Sequence, residues 1–337
     1  AKIMDFGIAR IEEETGLTPA SRPGNGFYND HAPRGMVVKG YDMARQIRRL
    51  DPDISEIAAE IEGYRHYASG KSPHGLCVES MFYLSMGVTQ LSYAIICSAS
   101  EPMEWYAGNY FRKLQQWRPF YEEYARFNRG TEPGGLDPHI GPKQVLREKL
   151  PGEAPFGWIT TGANDQVLPL SFLGLPFSPD GNRPSALLMD AEAVRGLTDS
   201  EIGDLFRHRG ILLDAPAWEV ARERGVDTLL AEIPLPEGLT QATCFHSPQG
   251  GRTAVIPSFD ADLPNAKRLN LLHIADWVSF NRLPVIMETP AQAVVVPRIA
   301  ESGKLRSVTL LNCSISEQEE TCLRLRGCDA AGKQVFV

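Results

Sequence analysis

From Arg129 to Pro142 the sequence reads RGTEPGGLDPHIGP, half of it glycine or proline. Proline fixes φ and donates no backbone hydrogen bond, and glycine gives up the most freedom on ordering, so no helix or central strand is expected to run through such a stretch. It divides the 337 residues into regions of different hydrophobic period. Before it, an opening helix (Ile3, Met4, Ile8, Ile11) leads to PASRPGNGFYND, then a helix YDMARQIRRL from Tyr41 and a strand ISEIAAEIEGY from Ile54. A helix GLCVESMFYLSMGV from Gly75, a strand QLSYAIICS from Gln90 and a long helix WYAGNYFRKLQQWRPFYEEYARF from Trp105 follow. That rhythm predicts parallel strands covered by helices, with room for about three strands.

The second region opens with FGWITTGANDQVLPLSFLGLPFSPDG and continues with SALLMDAEAV. A helix TDSEIGDLFRHRG follows, with Thr198 as N-cap and Glu201 at capping-box spacing, then a strand ILLDA and a helix AWEVARERG. This predicts a small doubly wound, flavodoxin-like α/β unit. A hairpin-like pair around SPQGGR and a helix NAKRLNLLHIADWVSF complete it. From about Ala291 the pattern is strand alone (AVVVPRI, a turn at ESGK, LRSVTLLNCS, ETCLRLRG, KQVFV), the start of an antiparallel sandwich. The expected fold class is α/β, with domains at 1–130, 153–290 and 291–337 and a linker at 131–152.

A net charge of −8 argues against nucleic-acid partners and an anionic membrane surface. No apolar run approaches the roughly 20 residues that span a bilayer. The six cysteines show no C-x-x-C spacing and several lie in apolar runs, so buried free thiols and a reducing compartment such as the cytoplasm are expected. The seven histidines show neither H-x-x-x-H nor H-x-H spacing, so no metal or other cofactor is implied. Ala1 stands inside a helical pattern, so the native N-terminus is expected to lie upstream.

KIMDFGIAR, Lys2 to Arg10, resembles the metal-binding D-F-G segment of protein kinases. A kinase places its Gly-rich loop, β3 lysine and H-R-D before that segment, and only four residues precede Asp5. HAPRG, at His31 to Gly35, stands where A-P-E would be required. A helix ended by Gly16 accounts for the string better.

The stretch most informative for chemistry is EIAAEIEGYRHYASGKSPHGL, Glu56 to Leu76. Along a strand, Glu60 and Glu62 share one face, because side chains alternate with period two. A charged pair is costly inside a barrel core and belongs at the rim where strands end. Tyr64, Arg65 and His66 are suited to holding a carboxylate ionised and binding hydroxyls. Glycoside hydrolysis needs two flanking carboxyl groups; here one glutamate reads as nucleophile and the other as support, against the alternative of a solvated edge strand. Asp30 and His31, in NDHAPRG, read as contacts to a sugar hydroxyl or as a satisfied loop cap. Trp105 reads as a stacking platform for a pyranose or as core packing. Trp117, Trp158, Trp218 and Trp277 read as core.

The order of these parts resembles the family-42 β-galactosidases and their relatives: a strand ending in Glu, a last barrel strand, a long helix, an amidotransferase-like α/β domain and a sandwich entered through RLPVIMETPAQAVVVPRIAESGKLRSVTLLNCS. The resemblance implies a partial (β/α)8 TIM barrel in residues 1–130, with AAEIEGY as strand seven and QLSYAIICS as strand eight. It implies a retaining glycosidase acting on a β-linked galactoside or similar carbohydrate, with Glu62 as nucleophile and Glu60 as fallback. The acid/base glutamate would end strand four, which this chain lacks, so the fragment alone is expected to be inactive. It also implies trimerisation through the α/β domain, where no nucleophile elbow is visible and a structural role is expected. The alternative is a non-catalytic carbohydrate-binding or scaffold protein of the same architecture.

Overall fold

The computed structural model describes residues 20–23, 30, 34–63, 70–96, 102–140, 167–314 and 317–327. The D-F-G string, Trp158 and the KQVFV segment lie outside them. The chain divides into two units, Ala1–Pro133 and Gly134–Val337, and both are mixtures of helix and sheet.

In the first unit, β1 (Ala20–Ser21), β2 (Glu56–Glu62) and β3 (Gln90–Ala94) form a parallel sheet in the order β1-β2-β3. β1 lies in the stretch the sequence pattern leaves irregular; two residues are too few to show a period. Helix α1 (Arg34–Arg48) precedes β2, and α2 (Pro73–Met86) joins β2 to β3. Helix α2 starts where Ser72 accepts the Gly75 N–H at 2.9 Å with Pro73 just inside, and stops at left-handed Gly87. The long helical segment after β3 is not uniform: Met103–Tyr106 is α-helical, Ala107–Phe111 makes a π turn, and α3 (Arg112–Phe127) continues it. β4 (Thr131–Pro133) ends the unit.

Register assigns the two faces of this sheet. Ile57, Ala59 and Ile61 are buried on one face of β2, and Tyr93 on the same face of β3 meets the Ser80 hydroxyl of α2 at 2.9 Å. That is the helix-covered face. The opposite face carries Ala58, Glu60 and Glu62 beside Gln90, Ser92 and Ala94, with Arg22 reaching Glu60 at 3.4 Å. One face is apolar and the other polar, as period-two alternation requires.

In the second unit a six-stranded sheet runs β5-β6-β7-β10-β9-β8. Its strands are β5 (Leu136–Pro138), β6 (Ala186–Met189), β7 (Gly210–Asp214), β8 (Ala231–Ile233), β9 (Thr243–His246) and β10 (Arg252–Ile256). β5, β6, β7 and β10 are parallel, while β8 and β9 add an antiparallel edge. Among the described residues this differs from the expected flavodoxin-like order, which reverses around its first strand. Helices α4 (Ala191–Arg195), α5 (Asp199–His208), α6 (Ala215–Glu223) and α7 (Asn265–Val278) accompany the sheet, and Leu187, Phe206, Ile211, Leu213 and Val255 belong to its core. The α5 capping box forms as the spacing predicts, with Thr198 and Glu201 satisfying each other's backbone. The pair around SPQGGR is the β9–β10 hairpin.

Two assignments need correction. The expected linker holds two strands: β4 (Thr131–Pro133) and Leu136–Pro138, the latter fully buried and paired with β6. Gly135, at φ +136, makes this possible: a Cβ there would lie 2.1 Å from the Pro176 carbonyl oxygen. β11 (Val285–Met287), expected in the α/β region, pairs with β14 (Leu323–Leu325). With the hairpin β12 (Ala293–Ala300) and β13 (Leu305–Asn312), it encloses a small core of Val285, Met287, Ala293, Val295 and Leu305. Of the described cysteines, Cys77 and Cys244 are buried free thiols as expected, whereas Cys313 is half-buried and Cys322 exposed.

Arg268 ties α7 to β11. Its guanidinium, 4% exposed, donates to the carbonyls of Leu173 and Met287 at 3.0 Å each, Glu288 at 3.1 Å and Thr289 at 2.9 Å, while Nε donates to Asn265 at 3.0 Å. Removing it strands several buried carbonyls at once. Arg268→Leu should lower the unfolding free energy in urea by about 3 kcal/mol or more, whereas Thr198→Ala should cost about 1 kcal/mol. Equal losses would mean the carbonyls are rehydrated without Arg268.

Candidate functional site

At the carboxyl end of β2, Glu62 is 9% exposed, and Glu60 on the same face pairs with Arg22, itself largely exposed. The backbone carbonyls of both glutamates are held by lysines. Lys39 of α1 donates to the Glu60 carbonyl at 2.5 Å. Lys71, just before α2, donates to the Glu62 carbonyl at 2.5 Å and to the Glu79 carboxylate at 2.7 Å. Lys71 and Glu79 have no solvent contact, and Lys39 is 2% exposed. Three ionisable side chains are therefore buried beneath the end of one strand.

Burial raises the Glu79 pKa, opposed by the ammonium of Lys71 and by the Tyr83 hydroxyl. Burial lowers that of Lys39; Glu79 opposes this, Lys71 adds to it, and Glu62 and Glu60 oppose it. The Lys39 ammonium also lies 5.4 Å from the centre of the Tyr83 ring, a cation–π distance.

An aromatic group adjoins this cluster. The Tyr110 hydroxyl, on the π turn, donates to the Lys71 carbonyl. Trp105 packs against Tyr106 and Tyr110, with ring centres 5.1 and 5.6 Å away. Trp105 is half-buried, so part of its indole faces solvent. π turns are frequent at functional sites because the extra residue displaces side chains from the regular helical face.

The structure thus brings Glu60 and Glu62 together on the polar face. Asp30 is engaged at the start of α2: its carboxylate accepts the Ser72 N–H at 2.7 Å, and its own N–H donates to Gly70 at 2.9 Å. That is the geometry of a loop cap. His31, Tyr64, Arg65 and His66 lie outside the described residues. The sequence reading missed Lys39, Lys71 and Glu79. Glu79 carried a signal, being the one charge within the otherwise apolar GLCVESMFYLSM run, since a buried charge requires a partner. Among the described residues, no group of three His, Cys, Asp or Glu is placed to hold a metal ion.

No protein-family profile and no curated protein sequence matches the chain. Among solved structures, it is similar to a rhamnosidase from Novosphingobium sp. PP1Y, with a TM-score of 0.35 and 15% identity, over 84% of this chain. The chain spans 28% of the length of that structure. A likeness at that level defines neither a fold nor an activity.

The Lys39 environment has a consequence for stability. Because burial lowers its pKa below 10.5, the folded chain releases this proton at lower pH than the unfolded chain. Between those two values the unfolded state binds more protons, so stability rises with pH; below them the cost of the buried ammonium is present in full. The groups acting on Lys39 are Glu79, Lys71, Glu62 and Glu60, with Tyr83 against it. Lys39→Met should flatten the rise in unfolding free energy as pH climbs toward 10.5. Urea titrations of both proteins across that range test this, and parallel slopes would place Lys39 in water.

Proposed function

We propose that the protein is a retaining glycoside hydrolase of the barrel type, with Glu62 as nucleophile and Glu60 as its support. β1, β2 and β3 are read as late strands of a (β/α)8 barrel, whose polar face is the substrate side. The observation that carries this reading is Glu62 itself: a largely buried carboxylate ending a parallel strand, on the polar face, with its backbone held by an ammonium. Barrel enzymes place catalytic groups at the carboxyl ends of strands. Retention requires a second carboxyl group about 5 Å from the nucleophile, and no described residue is assigned that role. A β-linked galactoside is the proposed substrate class, on the family resemblance. The partly exposed face of Trp105 supports it as a platform for the C–H face of a sugar.

In the full-length protein, Glu62→Gln keeps the side-chain shape, removes the charge and should cut turnover of an aryl β-galactoside by about four orders of magnitude. Glu60→Gln should do much less. A 2-deoxy-2-fluoroglycosyl inactivator should leave a covalent adduct, which peptide mass spectrometry should place on Glu62. Near-parental turnover of Glu62→Gln would overturn the assignment. Sugar binding without turnover in the parent would favour the non-catalytic carbohydrate-binding alternative.

The second unit is proposed to mediate assembly into a trimer, also on the resemblance. Light scattering of the full-length protein should return three protomer masses; a monomer at micromolar concentration would count against it.

A further inference from the structure

We propose that Lys71 is a positioning residue for Glu62, setting where the nucleophile stands relative to helix α2 and the Trp105–Tyr110 aromatic group. This rests on the reading of Glu62 as nucleophile. The Lys71 ammonium holds the carbonyl of Glu62 at 2.5 Å and the carboxylate of Glu79 at 2.7 Å. The Lys71 carbonyl accepts from Tyr110, whose ring packs against Trp105. Strand end, helix and π turn therefore meet on one residue.

Geometry favours positioning over direct chemistry. Lys71 contacts Glu62 at its main-chain carbonyl, while the Glu62 side chain stands on the same face of the sheet as Glu60 and Ser92. With no solvent contact, Lys71 cannot touch a sugar. What it controls is the place from which the Glu62 side chain starts. Gly63, the next residue, continues the ladder through its N–H to Ala94 at 2.9 Å, so β3 holds one edge of the strand end and Lys71 holds the Glu62 carbonyl, which the trans peptide points away from β3.

Lys71→Met alone leaves Glu79 buried without its ammonium and is expected to unfold. The informative variant is Lys71→Met with Glu79→Leu, which removes one charge of each sign and fills the space with apolar atoms. In the full-length protein it should fold with a Tm near the parent's. Its kcat on an aryl β-galactoside should fall by about 100-fold, the effect of moving a reacting group by about 1 Å. KM and the pH profile should hold, since the net charge near Glu62 is unchanged. Parental kcat in this folded variant would overturn the positioning role. If the double variant does not fold, Lys71→Arg, which keeps a cation opposite Glu79 but moves its donors, is read the same way. The same assay on Glu62→Gln separates the two ideas. An active Glu62→Gln overturns the nucleophile itself, whereas an inactive one beside a fully active Lys71 variant overturns only the positioning.

Discussion

An ammonium with no solvent contact must find oxygen atoms to replace water, and Lys71 finds them on two different elements. Desolvating Lys71 and Glu79 costs several kcal/mol per ion, and their attraction offsets this only when the geometry is good and the remaining donors are used. The Glu62 carbonyl uses one such donor, and Lys39 repeats the arrangement from α1 onto the Glu60 carbonyl. Two ammoniums lie near the Glu79 carboxylate, and their remaining charge is met by carbonyl dipoles at the end of β2 and, for Lys39, by the Glu62 and Glu60 carboxylates. An apolar replacement of similar volume could be as stable. What it could not do is distinguish registers: two carbonyls of β2, two residues apart and so pointing the same way, are each bound by a different lysine from a different segment, so a one-residue slip breaks both contacts.

The second unit addresses a similar need with different chemistry. Arg268 has a planar guanidinium whose forked donors reach four carbonyls from two separate chain segments. A lysine has three donors around a single nitrogen and could not span them. Where the oxygens to be gathered are spread along β11 and the Leu173 turn, arginine fits. Where a strand carbonyl and a carboxylate lie close together, a compact ammonium fits. In each unit the end of a strand is fixed by a cation from a neighbouring segment.

Much of the fold was legible in the sequence because its signals are local. The helix–strand–helix–strand order from Tyr41 to Ala94, the Thr198–Glu201 capping box and the SPQGGR hairpin depend on residues a few positions apart, and each appears in the expected order. Misread elements owe their state to distant partners. Leu136–Pro138 becomes a strand because β6, about 50 residues later in chain numbering, offers an edge. β11 joins β14 rather than the α/β sheet because its partner arrives only near residue 323. The site followed the same division. The shared face of Glu60 and Glu62 follows from period two, whereas the lysines beneath them follow from packing. Lys39 sits among Met36, Val37, Gly40 and Met43 on the buried side of α1, a position where a lysine looks like an ordinary surface residue until the carbonyl it binds is known.

Burial also separates the surroundings of the two glutamates, which sequence spacing alone leaves equal. The Glu60 carboxylate is about one-third exposed and pairs with an Arg22 side chain that is more than half exposed. Such a pair contributes about 1 kcal/mol at most and is weakened by salt. Glu62, two residues further along the same face, is far more withdrawn from water. Charges near it act through a lower effective dielectric, so fixed groups influence it more strongly than mobile ions do. Lys39 interacts with both carboxylates, but only at Glu62 is competing water largely excluded. Of the two, Glu62 is the carboxylate withdrawn from solvent, and Glu60 is the one left to solvent and an exposed arginine. The proposed choice of Glu62 over Glu60 as nucleophile rests on this difference: a nucleophile needs the first environment, whereas a supporting charge tolerates the second.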